Sequence, residues 1–328
     1  MESRFIIRTA CCSFGSAVCA GAVILIAFSA QAQNLFVDSY EQGNIVEITP
    51  AGVESIFASG LPTADGMAFN GAGDLFVAEP VAANGNYGSI VEITPGGVQS
   101  TFASGLNSPI ALAFSSTGDL FVDSYSSGNI TRITPSGVQT TFVSGLYYPQ
   151  GMAFNSAGNL FVTSYSAIYE FTPGGVQSTF VSGLQYPYGI AINSADDVVE
   201  ADDNEITLNE FTPSGAESTI GSGLFNVYNC LAFDNAGNLF AGEWGTGNGY
   251  NGTIVEITRG GVQSTFATGL YSPTALAFQP VPEPPALGLL AVGAAAFLVH
   301  RRHNLVALLP IGLPWKRSYR NVVAHGEL

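Results

Sequence analysis

Positive charge is the scarcest feature of this chain. It carries 9 lysines and arginines against 25 acids, a formal charge of −16. Between Gln33 and Phe278 only Arg132 and Arg259 oppose 22 acids, so that stretch holds about −20 and the other bases lie at the two ends. Such a surface repels phosphate backbones, and nucleic acid is excluded as a partner. Histidine is absent from the same stretch, since His300, His303 and His325 all follow it. A histidine-based triad or a histidine-ligated zinc is thereby excluded. Cysteine is nearly absent too: Cys11, Cys12 and Cys19 lie in the N-terminal leader, and Cys230 alone cannot form an internal disulfide.

What remains is apolar and repetitive. Hydrophobic residues make up 47% and charged residues 10%, the balance of a packed globular protein. Gly97-Val98-Gln99-Ser100-Thr101-Phe102-Ala103-Ser104-Gly105-Leu106 recurs in related copies from Val53, Val138, Val176, Ala216 and Val262, six in all. Leu-Phe-Val-like strands start at Asn34, Asp74, Asp119, Asn159, Asp197 and Asn238, with spacings of 40, 45, 40, 38 and 41 residues. In the stretch 109–146 four short apolar or alternating segments are separated by three turns, each containing Gly. Four strands in about 40 residues are one propeller blade, so the expected fold is an all-β six-bladed β-propeller. The chain enters at a second strand (residues 34–38) and leaves after a first strand (residues 274–278). Pairing those ends completes the sixth blade and removes the open edges.

The two ends have their own signatures. Residues 1–32 form a signal peptide: Arg4 and Arg8, an apolar core from Ala20 to Phe28, and Ala30-Gln31-Ala32 as the cleavage site. The propeller then spans 33–279. Next, Val281-Pro282-Glu283-Pro284 precedes an apolar run over 286–299 and His300-Arg301-Arg302. At 1.5 Å per residue that run reaches only about 21 Å, short of a bilayer core of roughly 30 Å. A further tail occupies 304–328.

The Gly-Asn-Leu-Phe-Val-x-Ser-Tyr…Gly-Asn-Ile…Ile-Thr-Pro pattern resembles the NHL-repeat and gluconolactonase-like (regucalcin-like, SMP-30-type) six-bladed propellers over about 34–278. Segment 280–303, with its short apolar helix, resembles the PEP-CTERM sorting signal. That resemblance implies an exosortase as partner and an exported protein, at the cell surface or extracellular, transiently or permanently membrane-anchored. The propeller resemblance implies either a binding or structural module or a divalent-metal-dependent lactonase-like hydrolase. Streptogramin-lyase-like and paraoxonase-like propellers use a histidine base, which this chain's repeats lack, so the expectation leans away from catalysis.

Function in propellers gathers where the outer-to-inner connections and the second-to-third-strand hairpins open. The first set places Asp65, Ile110, Gln150, Tyr188, Asn229 and Thr274 in equivalent positions. The second offers Asp38, Glu79, Asp123, Asp202 and Glu243, with Thr163 breaking the acidic series. The acids Asp38, Asp65, Glu79, Asp123, Asp202 and Glu243, with Gln150 and Asn229, are hard oxygen ligands suited to Ca²⁺. They fall at two strand offsets, so they cannot all reach one ion. The alternative is structural: Asp38 and Asp123 precede Gly-Asn turns and can bond nearby backbone to set them. Cys230 aligns with Gly151, Gly189 and Ala275 and is expected to be a buried, inert thiol. The longer loops 80–89 and 245–253, rich in Gly, Asn and Tyr, suit a carbohydrate or protein ligand, or simply solvent. Glu200 stands where Val37, Val122 and Val162 stand, so the fifth blade is either irregular there or ligand-binding.

Overall fold

A computed structural model describes residues 32–281 apart from 40–41, 62–63, 82–86, 203–205 and 246–250. The signal peptide, nearly all of the sorting segment and the 304–328 tail lie outside the described residues. Six four-stranded antiparallel sheets follow one another as blades. Blade 1 combines Leu276–Phe278 with Leu35–Ser39, Asn44–Ile48 and Glu54–Ser59, and blades 2 to 6 occupy 67–106, 112–143, 149–182, 187–222 and 231–270.

The expected closure is present. Leu35, Phe36 and Val37 pair with Phe278, Ala277 and Leu276. Gln279 N–H donates to the Asn34 carbonyl at 3.1 Å, and the Gln33 side chain donates to the Gln279 carbonyl at 2.8 Å.

The recurring Ile-Thr-Pro-x-Gly-Val motif makes the third-to-fourth-strand turn. Each threonine hydroxyl accepts the backbone N–H four residues on, as Thr94 does from Val98 at 3.2 Å and Thr134 from Val138 at 3.1 Å. The glycine of the motif takes a positive φ, 78° at Gly97 and 84° at Gly137, which is why a residue with Cβ is not found there.

The phenylalanine of the Leu-Phe-Val strand joins neighbouring blades. Phe36 meets Phe57 of its own blade and Phe69 of blade 2 edge to face, with centroids 4.9 and 5.0 Å apart. Phe76, Phe121 and Phe240 repeat the arrangement with Phe114, Phe154 and Phe278 of the next blade. Blade 5 departs from it by placing Val199 there, packed with Ile220 and Phe233.

Glu200 is fully buried in Val198–Asp202, a strand in unbroken register with Thr207–Phe211, while its pairing with Pro187–Ile192 shifts between Pro187 and Ile190. That shift lies beside Glu200 and recurs in blade 4 between Pro149 and Met152, so it is no peculiarity of the fifth blade. The cross-strand neighbour of Glu200 is Asn209, also buried, where other blades place Val46, Val91 or Val255. Blade 5 has exchanged an apolar cross-strand pair for a polar one.

Candidate functional site

One end of the ring carries the second-to-third-strand hairpins and the connections that enter each inner strand; we call it the upper face. Six apolar side chains, one per blade, close the axis beneath it: Met67, Leu112, Met152, Ile190, Leu231 and Leu276. The cavity among them and the backbone above is about 70 Å³, room for very few waters.

Above this layer stand the small residues Gly66, Ala111, Gly151, Gly189, Cys230 and Ala275. Their size is dictated by the next blade or by their own second strand. A Cβ on Gly151 would lie 2.4 Å from the Tyr188 carbonyl, and one on Gly189 2.3 Å from the Tyr228 carbonyl. Facing them across each blade stand Ala78, Asp123, Thr163, Ala201, Gly242 and Asp38 in turn. Large and small are matched. Cys230, fully buried with its thiol pushed up by burial, faces Gly242, where a Cβ would meet its sulfur at 2.1 Å. The expected inert thiol is thus a space-filler that requires glycine opposite. We expect Gly242→Ala to cost about 1–3 kcal/mol. Adding Cys230→Gly, which recreates the Ala78–Gly66 pair of blade 2, should restore most of it in a double-mutant cycle. A double variant no more stable in urea than Gly242→Ala would refute the size match.

The acids divide by strand offset into two structural roles. At the first offset, Asp123 Oδ1 accepts the backbone N–H groups of Ile110 at 3.0 Å and Ala111 at 2.7 Å. Asp38 Oδ1 accepts the N–H and hydroxyl of Thr274 at 3.2 and 2.9 Å. Thr163 does the same for Gly151 N–H at 2.8 Å and donates to the Tyr188 carbonyl of blade 5. These side chains fasten the start of the inner strand, whose first amides have no ladder partner. Asp38 and Asp123 bond backbone, but not the hairpin that follows them: in blade 1 that turn is closed by Ser39, whose carbonyl accepts from Gln42 and Gly43. The turn-setting role is corrected accordingly.

At the second offset the side chain ties down the incoming connection. Asp202 Oδ2 accepts Gln185 N–H at 3.1 Å, and Glu243 accepts Phe225 N–H at 2.9 Å and the Thr253 hydroxyl at 2.6 Å. Ser39 and Ser164 donate to the Tyr271 and Tyr147 carbonyls from the same position. Glu79 accepts from the Ser89 hydroxyl within its own hairpin at 3.2 Å. Asn229 reaches over blade 5 to donate to the Gln150 carbonyl at 3.0 Å.

The eight candidates therefore form no single set. Asp38, Asp65 and Asp123, on blades 1 to 3, are close enough that Asp65 raises both others. Burial, the larger cause, lifts Asp38 and Asp123 well above the usual carboxylate range and lifts Asp65 to about 7. Asp38 Oδ2 and Asp123 Oδ2 are buried without a hydrogen-bond partner. Even so, among the described residues no three His, Cys, Asp or Glu side chains are placed to hold one metal ion.

A second feature of this face went unread in the sequence. Tyrosines from two kinds of loop make one arc over blades 3 to 5. Ring centroids of Tyr125 and Tyr148 are 5.0 Å apart, Tyr148 and Tyr147 4.5 Å, Tyr147 and Tyr165 5.1 Å, and Tyr165 and Tyr186 5.3 Å. Farther in, Tyr188, Tyr228 and Trp244 continue over blades 5 and 6 at 5.2 Å steps. Tyr147, Tyr148, Tyr165 and Tyr186 are 60, 42, 45 and 46% exposed. Of these, Tyr148, Tyr165 and Tyr186 hold positive φ values of 50, 41 and 61°, unusual for a bulky residue. Ser108 and Ser272 share that geometry one residue before a proline, so the loop imposes it. The tyrosines at 148 and 186 occupy the same pre-proline slot. The Tyr148-Pro149 and Tyr186-Pro187 dipeptides were the available signal.

Comparison with known proteins bears on the fold and on one segment. Residues 280–302 match the PEP-CTERM protein-sorting motif. No curated protein matches the chain. Among solved structures, the chain is similar to one in a nidogen/laminin complex, with TM-score 0.64 and 17% identity over 77% of this chain and all of that one. It is also similar to virginiamycin B lyase from Staphylococcus aureus, at TM-score 0.54 and 17% identity over 75% of this chain and 87% of that one. A putative gluconolactonase gives TM-score 0.52 at 17% identity over 65% and 81%. At such identities the likeness concerns architecture: the chain is an all-β six-bladed propeller of the NHL and gluconolactonase-like shape that carries a PEP-CTERM sorting motif.

Proposed function

We propose that this is an exported, surface-sorted propeller that works as a non-catalytic binding module, meeting its ligand through the upper face. The observation that carries this reading is the tyrosine arc: exposed aromatic side chains on constrained backbone, above an axis closed by an apolar layer. Rigid, partly exposed tyrosines give contact area at small entropic cost. The acids that suggested chemistry are largely engaged in holding strand starts and loops. Virginiamycin B lyase resembles this fold, and a histidine-to-alanine variant of that lyase is catalytically inactive; the repeats here contain no histidine at all.

In this reading the signal peptide 1–32 directs export, and an exosortase-type enzyme processes the segment 280–303. Intact mass of the exported chain should then show no residues beyond roughly 285; detection of 304–328 on it would refute this processing.

The binding role is tested with Tyr147, Tyr165 and Tyr186 all changed to Ser. Co-sedimentation of the full chain with extracellular material from the producing culture should fall at least tenfold while the melting temperature holds. Undiminished co-sedimentation would remove the arc from the reading.

A second reading has one observation in its favour. The unpartnered oxygens of Asp38 and Asp123 beside Asp65 could serve a divalent cation, Ca²⁺ by ligand type, and with it a lactonase-like hydrolysis. It requires the three carboxyls to draw together. Calcium should then raise the melting temperature at pH 8, and Asp65→Asn should abolish the rise; a flat millimolar titration would dismiss it.

A further inference from the structure

We infer that the tyrosine arc is a platform for an uncharged polysaccharide chain lying across blades 3 to 5. This rests on the binding-module reading and names its ligand class. Three observations point the same way.

The first is shape and surface chemistry. Tyr125, Tyr148, Tyr147, Tyr165 and Tyr186 follow one another at centroid steps of 4.5 to 5.3 Å, so the contact is a track rather than a socket. Its exposed rings are phenolic. Ser108 and Ser126 add hydroxyls 3.2 Å apart beside Tyr125. A ligand suited to this track has apolar C–H faces to lie on π-faces and hydroxyls at its edges to exchange hydrogen bonds. Sugar rings have both. A protein partner would instead look for a desolvated apolar centre with pockets for anchors, whereas Phe225 is the one exposed large aliphatic or phenylalanine side chain described on the upper connections of blades 3 to 6.

The second is charge. Among the described residues the only cations are Arg132 and Arg259. Arg132 is paired with Asp119 at the start of a second strand, and Arg259 lies in a third-to-fourth-strand turn against Gly237; both are on the lower end. The upper face carries Asp65, Glu79 and Glu243, each partly accessible, and no described cation, so it has nothing with which to hold carboxylated or sulfated chains.

The third is constraint. Three rings of the track stand on backbone with positive φ. At 148 and 186 glycine would fit the loop with less strain, but it would carry no ring. The loop holds the backbone in the same way at Ser108 and Ser272, so the rings stand on a fixed base and lose little freedom when a ligand covers them.

The experiment is affinity electrophoresis of the full chain in gels containing soluble galactomannan, hydroxyethyl cellulose or polygalacturonate. A companion co-sedimentation uses extracellular material treated with periodate or with protease. At least threefold slower migration in one or both neutral gels, lost in Tyr148→Gly/Tyr186→Gly, is expected, with no retardation by polygalacturonate. Periodate should abolish co-sedimentation and protease should spare it. Loss by protease with survival of periodate would overturn the glycan and leave the binding module standing with a protein partner. Retardation by polygalacturonate as strong as by galactomannan, or none in either neutral gel, would also overturn it. Should the Gly variants lose the fold instead, Tyr147→Ser/Tyr165→Ser serves as the second variant. Retention of all binding by both pairs of variants would take down this inference and the binding reading together.

Discussion

A chain ended at Ser272 should fail to keep the folded state that a chain ended at Val281 holds. The six residues 273–278 include Thr274, Ala275, Leu276 and Ala277, all buried, and Phe278, which packs edge to face on Phe240. Burying a single leucine contributes about 1.5–3 kcal/mol. Removing the strand also uncovers Leu35–Ser39, every residue of which is buried, as an unpaired edge next to blade 6. The total loss is comparable with the 5–15 kcal/mol that typically separates folded from unfolded domains. The expected result is a melting temperature lowered by tens of degrees or a chain that aggregates through its bare edge. Equal melting temperatures for the two chains would show that the ring does not depend on this closure.

Asp65→Asn should raise the melting temperature at pH 8 and flatten its dependence on pH. The carboxyl of Asp65 is held at about 7 in the folded state against 3.8 ordinarily, chiefly by desolvation. The folded protein therefore binds the proton more tightly than the unfolded chain. Its contribution is fully present below about pH 4 and is lost as the pH rises toward 7. Three units correspond to an upper bound of about 4 kcal/mol at 1.36 kcal/mol per unit. For a domain of this size, 1 kcal/mol moves the melting temperature by roughly 2–4 °C. Asp38 and Asp123 are raised in the same direction, so a residual slope of the same sign should survive in the variant. A wild-type protein equally stable at pH 5 and pH 8 would show that these carboxyls are not desolvated as described.

Architecture was written openly in this sequence because its causes are local. A threonine, a positive-φ glycine and a strand-two phenylalanine recur at a fixed period, and each acts within one blade or on the next. The site was far less legible. Offset along a strand tells which way Asp123 points, but not that the amides of Ile110 and Ala111 wait there. That depends on where the preceding connection enters the inner strand. The series of acids looks like ligands because Thr163 reads as an interruption, when it does the job of Asp38 and Asp123, as Ser39 and Ser164 do that of Asp202 and Glu243. The tyrosines were missed for a different reason. Tyr125 and Tyr165 come from hairpins, Tyr147, Tyr148 and Tyr186 from connections, and nothing in linear order says that the two loop types interleave. The loops that did attract attention, 80–89 and 245–253, lie partly outside the described residues.

The direction of the closing strand has a mechanical consequence. It runs from Thr274 beside the upper rim down to Phe278, which pairs with Leu35 at the lower end. Residue 281 thus leaves from the end opposite the tyrosines. In the proposed binding module, a tether made through the segment that follows would pull the last strand along its own length while a ligand holds the far end. Its three register pairs are then loaded together, in shear, instead of opening one after another as in peeling. Tension on a fixed tail would meet the ring in its more resistant direction, drawn from the end opposite the tyrosines.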